Sequence, residues 1–186
     1  MKKLFLLLAL VLGSLSLSAQ KVAVKTNLLY DVTTTLNLGF EFRVAPKWTI
    51  DVSGNYNPFS FKNDKKIKHW LVQPEARYWF CEAFNGHFLA LHALGGVFNV
   101  GNMDLGIYPS FKNHRYEGEM YGAGLGYGYQ FILGKRWNLG LEIGAGWIRA
   151  NYDKYDCPHC GEWIKDGKKD YFGLTKAAIS LIYIIK

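Results

Sequence analysis

The sequence predicts an all-β protein, an eight-stranded antiparallel up-and-down transmembrane β-barrel preceded by a cleavable signal peptide. Three observations carry that expectation. Segments of about ten residues alternate apolar and polar side chains, the two-faced pattern of a barrel strand. In one of them, Tyr121 to Phe131, every even position is Gly except Gln130 and every odd position is apolar or aromatic. A face almost bare of side chains must lie against something crowded, such as the packed lumen of a narrow barrel. Finally, Met1-Lys2-Lys3 precedes apolar Leu4 to Leu12, and small residues follow as far as Ala19. That order reads as a secretory signal peptide over residues 1–19, leaving 20–186 as one domain.

The strands follow in order. Val22 to Val32 sets Val22, Val24, Thr26, Leu28, Tyr30 and Val32 against Ala23, Lys25, Asn27 and Asp31. Leu36 to Val44 sets Leu36, Leu38, Phe40, Phe42 and Val44 against Asn37, Gly39, Glu41 and Arg43. Trp48 to Asn57 opposes Trp48, Ile50, Val52 and Tyr56 to Thr49, Asp51, Ser53 and Asn55. Trp70 to Phe80 opposes Trp70, Val72, Ala76, Tyr78 and Phe80 to Gln73, Glu75, Arg77 and Trp79. His87 to Val97 is apolar on both sides, so its phase stays open. After the glycine strand, Trp137 to Trp147 sets Leu139, Leu141, Ile143 and Ala145 against Asn138, Gly140, Glu142, Gly144 and Gly146. Phe172 to Lys186 closes the set, with Thr175, Ala177, Ile179 and Leu181 against Lys176, Ala178 and Ser180.

Connections alternate in length. Ala45 to Lys47, Cys81 to Gly86 and Leu133 to Arg136 are short, whereas Pro58 to Lys68, Asn99 to Gly118 and Asn151 to Asp170 are long. Short inner turns and long outer loops are how outer-membrane barrels are built, with Thr33-Thr34-Thr35 as a short exception. Aromatics gather at both ends of the apolar stripe: Trp48, Tyr78, Tyr129 and Trp137 at one, Tyr56, Trp70, Tyr121 and Trp147 at the other. Two such girdles suit the two membrane–water interfaces. A soluble barrel with an aromatic core explains the alternation equally well, but it would put Glu41, Arg43, Glu75 and Arg77 outside. No segment after the leader has about 18 consecutive apolar residues, so no membrane helix is expected. The formal charge of +7 falls to +5 when Lys2 and Lys3 leave with the leader, and the excess is scattered through loops. No element that reads a nucleic-acid groove is visible, and nucleic-acid partners are not expected.

With the apolar face outward, the lumen receives Lys25, Asp31, Glu41, Arg43, Asp51, Glu75, Arg77, Glu142 and Lys176. Charges in so narrow a space are tolerable only when paired. E-x-R recurs as Glu41/Arg43 and Glu75/Arg77, which places opposite charges on one face two residues apart. The expected result is a plug of salt bridges, with long side chains filling the space the glycines leave. Cys157-Pro158-His159-Cys160 is the one compact reactive motif. A disulfide closing a small loop suits an exported chain, while metal capture helped by His114 or Glu162 stays open. Cys81 is expected to be free. No metal site beyond that motif and no cofactor are expected. His69 and His92 are the available bases for a lipid-modifying enzyme, yet no Ser stands beside either.

Lys25 to Phe42, K-T-N-L-L-Y-D-V-T-T-T-L-N-L-G-F-E-F, resembles the opening motif of an uncharacterised Bacteroidetes family of small secreted proteins with a domain-of-unknown-function label. The ending, F-G-L-T-K-A-A-I-S-L-I-Y-I-I-K, is similar too, although Leu174 stands where a proline is expected. The resemblance implies an outer-membrane β-barrel, often encoded near fimbrillin-type genes. It implies no activity and no catalytic residues. The combined expectation is a monomer in the outer membrane of a Gram-negative bacterium, with lipid around it. Its role would be structural or adhesive, presenting loops to surface or fimbrial proteins. A lipid-modifying enzyme and a soluble exported binding barrel are the alternatives.

Overall fold

Alternation in the chain becomes one continuous antiparallel sheet that closes on itself in sequence order, β1 to β8, with β8 pairing back to β1. The computed structural model describes residues 21–59, 66–101, 114–156 and 161–185; the expected leader, Cys157 and Cys160 lie outside the described residues. The strands are β1 (Val22–Asn27), β2 (Leu36–Ala45), β3 (Trp48–Asn57), β4 (Lys66–Trp79), β5 (Gly86–Gly101), β6 (Arg115–Ile132), β7 (Trp137–Tyr155) and β8 (Trp163–Ile184). A short helix, α1 (Leu28–Val32), follows β1. Among the described residues no helix is long and apolar enough to cross a membrane, which says nothing about a β-barrel.

The observed elements depart from the expected ones in two ways. β1 stops at Asn27 rather than Val32, because the Asn27 side chain accepts a hydrogen bond from the Leu29 N–H (3.2 Å) and caps α1. The same amide then substitutes for a strand residue. Its Nδ2 donates to the Ala177 carbonyl (3.1 Å), and its Oδ1 accepts from the Ile179 N–H (3.1 Å). In the other direction, β4 to β8 run well past the apolar stripe. Most of the stretch Asn151 to Asp170, expected as loop, is ladder: Asn151 pairs with Lys168, Asp153 with Asp166 and Lys154 with Lys165. Backbone pairing does not need an apolar face, so hydropathy alone ends these strands too early.

The two faces of the sheet separate by chemistry. One hydrogen-bonded row runs Phe42, Ile50, Ala76, Leu91, Leu125, Ala145, Leu174, and all its side chains point outward. Leu91 and Leu125 are 60% and 68% exposed. The adjacent row runs Glu41, Asp51, Glu75, His92 and points inward, where Glu41 and Asp51 are fully buried. The open phase of β5 is thereby fixed: Phe88, Ala90, His92 and Leu94 face the lumen. At the short-turn end the lumen is closed by Ala23, Trp79, Phe84, Phe88 and Ile182. Trp79 and Phe88 meet at 4.8 Å between ring centroids.

The glycine strand explains itself at this level. Gly128 sits where a Cβ would come within 2.3 Å of the Phe88 ring, so the strand must be bare for that ring to enter the lumen. Higher up, a Cβ at Gly124 or Gly144 would lie 2.8 Å from the His92 ring. The glycines are thus the negative imprint of the side chains on β5.

Candidate functional site

Above the aromatic floor lies the ion-pair cluster. Glu41, Asp51 and Glu75 stand directly across from one another on neighbouring strands, an arrangement that like charges disfavour unless cations intervene. The cations come from flanking positions: Arg77 is two residues from Glu75, Lys25 lies on β1 and Lys176 on β8. Arg77 is the hub. Its Nε donates to Glu75 Oε1 (2.5 Å), Nη1 to Glu41 Oε2 (2.8 Å) and Nη2 to Glu142 Oε2 (2.7 Å). Lys25 pairs with Asp51 and reaches Glu41 at 3.5 Å. Lys176 pairs with Glu75 and reaches Glu142 at 3.3 Å.

The cluster is tied to the floor by hydrogen bonds and stacking. Thr49 Oγ1 donates to Glu41 Oε1 (2.6 Å) and accepts from Trp79 Nε1 (3.0 Å). The Arg77 guanidinium also lies 4.5 Å from the Phe88 ring centroid, where its flat face is stabilised by the ring quadrupole. Four buried carboxylates share three cations here, so removing one cation leaves carboxylates uncompensated in the low dielectric.

Two of the charged residues expected in the lumen stand apart. Asp31 sits on α1, exposed, and accepts hydrogen bonds from Thr26 (3.0 Å) and Asn37 (2.9 Å) at the long-loop end. It left the lumen when Asn27 ended the strand. Arg43 is half-buried opposite Thr49 and has no carboxylate partner among the described residues. E-x-R on β2 therefore does not repeat what E-x-R does on β4. Glu41 turns to Arg77 across the lumen rather than to Arg43 on its own strand.

Glu75, His92 and Glu142 bring ligand-type atoms within 4.8 Å of one another. The same carboxylates already bond Arg77 and Lys176, and a divalent cation would have to displace the Lys176 ammonium. We read the group as part of the ion-pair cluster. His92 has a different partner, Thr175 Oγ1 at 2.8 Å from its Nε2. Thr175 had been expected on the outward face. A bulge in β8, where Gly144 pairs with Lys176 but Ala145 with Leu174, turns it inward. Nothing in the local sequence marks that bulge. His92 is 1% exposed, so this pair is an interior contact out of reach of an external substrate, with Nδ1 buried and unpartnered among the described residues.

The remaining expected groups lie apart from the cluster. Cys81 is free and exposed. His114 stands 3.7 Å from Asp156, and Glu162 is exposed, both near the ends of the hairpin that carries the C-x-x-C. His69 lies at the long-loop end, its Nδ1 3.1 Å from the Ile67 carbonyl, beside a cavity of about 760 Å³.

The closed eight-stranded sheet with charges buried in its lumen is matched by one sequence family. The profile of the family of proteins of unknown function DUF3575 matches residues 4–185. The chain belongs to that DUF3575 family. No curated protein and no solved structure matches it. The DUF3575 assignment covers the two terminal motifs and everything between them, and it brings no activity with it.

Proposed function

We propose that this chain is an integral outer-membrane β-barrel of a Gram-negative bacterium, with a lumen plugged by ion pairs, acting as a structural scaffold. It presents the long hairpins of β4 to β8 to partners outside the cell. Surface proteins are the partner class, with fimbrial subunits the case suggested by the family resemblance.

The observation that carries this reading is the outward row Phe42, Ile50, Ala76, Leu91, Leu125, Ala145, Leu174 set one residue away from buried Glu41, Asp51 and Glu75. Water would penalise that apolar belt, which far exceeds the patches that soluble monomers expose. Lipid would not. Aromatic pairs flank the belt, Trp48–Tyr78 (5.1 Å) and Trp137–Tyr183 (4.9 Å) at the short-turn end and Tyr121–Trp147 (6.0 Å) at the other. A soluble exported barrel would need the opposite arrangement of faces.

Fractionation and gel mobility test the proposal together. The full chain, expressed with its leader in a Gram-negative host, should sediment with outer membranes and run at different positions boiled and unboiled. Protein found wholly in the soluble periplasm, with one unshifted band, would overturn it. Purified protein in a planar bilayer should carry no steady ion current, because the ion-pair cluster and the Trp79–Phe88 floor block the lumen at the short-turn end. A steady current would remove the plug.

A further inference from the structure

Among the described residues, the lumen is packed at the short-turn end and hollow at the other. There a single hydrogen-bonded row crosses β3 to β8 through Asn57, His69, Phe98, Gly118, Tyr152 and Gly167. Its inward side chains and bare glycines line the 760 Å³ cavity, a size that suits a small-molecule site. Tyr152 lies against Gly167, where a Cβ would stand 2.8 Å from the ring. Tyr116 meets Tyr152 edge-on at 5.3 Å, extending the aromatic wall towards the mouth.

The mouth is sorted by charge. Tyr116 pairs with Lys154, and Lys154 with Lys165, so these three share the face of Tyr152 and Gly167 one row further out. Lys154 Nζ stands 6.0 Å from the Tyr116 ring centroid. The acidic residues of the same stretch, Glu117, Asp153 and Asp166, border the cavity from the intervening row, where strand alternation turns their side chains away from it. Strand alternation thus places two lysines directly opposite each other one inward row beyond the residues that line the cavity, with no carboxylate in either inward row. Like charges so placed repel, and an anion between them would relieve that cost. Below them stand flat aromatic faces and the His69 imidazole, while the Asn57 side chain is already bonded to Thr35 and to the Phe59 N–H.

We propose that this cavity binds an acidic saccharide, a sugar ring carrying a carboxylate or a phosphate. The ring's C–H face would stack on Tyr152 and Phe98, its hydroxyls would meet His69, and its acid group would sit between Lys154 and Lys165. A neutral sugar uses the aromatic wall but leaves the lysine pair uncompensated. Inorganic phosphate uses the lysines but leaves the wall empty.

Calorimetric titration of the full chain folded in detergent micelles tests this with digalacturonate, glucose 6-phosphate, maltose and inorganic phosphate as separate probes. At least one acidic sugar should bind about tenfold or more tightly than both maltose and phosphate, and which one does so identifies the acid group. Lys154→Gln with Lys165→Gln, and separately Tyr152→Ala, should each weaken it about tenfold or more. Lys135→Gln, exposed in the short turn between β6 and β7, should leave it unchanged. A boiled-versus-unboiled gel shift confirms that each variant is folded. Absence of binding by both acidic sugars, equal binding of maltose or phosphate, or full affinity in the folded lysine double variant would each overturn the proposal. None of these outcomes bears on membrane insertion, which fractionation decides separately.

Discussion

Two halves of one lumen are built by the same strands and come out as opposites. Towards the short turns, inward positions alternate large and absent: Trp79 and Phe88 against Gly128, His92 against Gly124 and Gly144, with Arg77 joining Glu41, Glu75 and Glu142 across the middle. Towards the long loops, the glycines persist at 118 and 167 but the facing residues are too few to fill the space, and a cavity remains. A closed sheet fixes only a diameter. Whether that diameter holds a plug or a cup depends on which rows pair a bulky residue with a glycine.

Breaking the plug should give the largest effect. Arg77→Ala strands Glu41, Glu75 and Glu142 without their shared cation, which typically costs about 3–5 kcal/mol. The urea unfolding midpoint in detergent should fall accordingly; a variant as stable as the parent would show that the cluster does not hold the lumen together. Next comes the outer wall. Leu125→Arg should cost about 2–4 kcal/mol if the belt faces hydrocarbon, whereas an exposed Leu in water would change by only about 0.5 kcal/mol. The size of that one number therefore separates the membrane reading from the soluble one.

Thr175→Val keeps the shape of the side chain but leaves His92 Nε2 without its partner, a loss of about 1–3 kcal/mol read by the same denaturation. No change would mean that the bulge, rather than the hydrogen bond, sets the position of Thr175. The smallest effects belong to charges outside the cluster. Arg43→Ala, without a carboxylate partner among the described residues, should stay within about 1 kcal/mol of the parent. A drop as large as that of Arg77→Ala would mean that the two E-x-R motifs act alike after all.

Much of this was legible before the fold was seen, because strand phase is periodic. Once Glu41, Asp51, Glu75 and Arg77 are assigned to one face, closure brings them together. His92 shows where that reasoning stops. β5 is apolar on both sides, so its phase came only from pairing with the glycines of β6, and its partner Thr175 depends on a one-residue bulge 83 positions away. The helix at Leu28–Val32 is a second case. Alternation ran on through Asp31, but Asn27 satisfied the backbone with its side chain and released the strand.

The sequence by itself determined which residues alternate, and therefore which face is apolar, which face carries charge and which strand is stripped of side chains. Those are local properties, set by a period of two along each segment. The tertiary structure decided which carboxylate meets which cation, where the lumen is full and where it is hollow, and how far the ladders rise beyond the apolar belt. Those depend on register and curvature between strands distant in sequence, and a shift of one residue at Thr175 was enough to change the outcome.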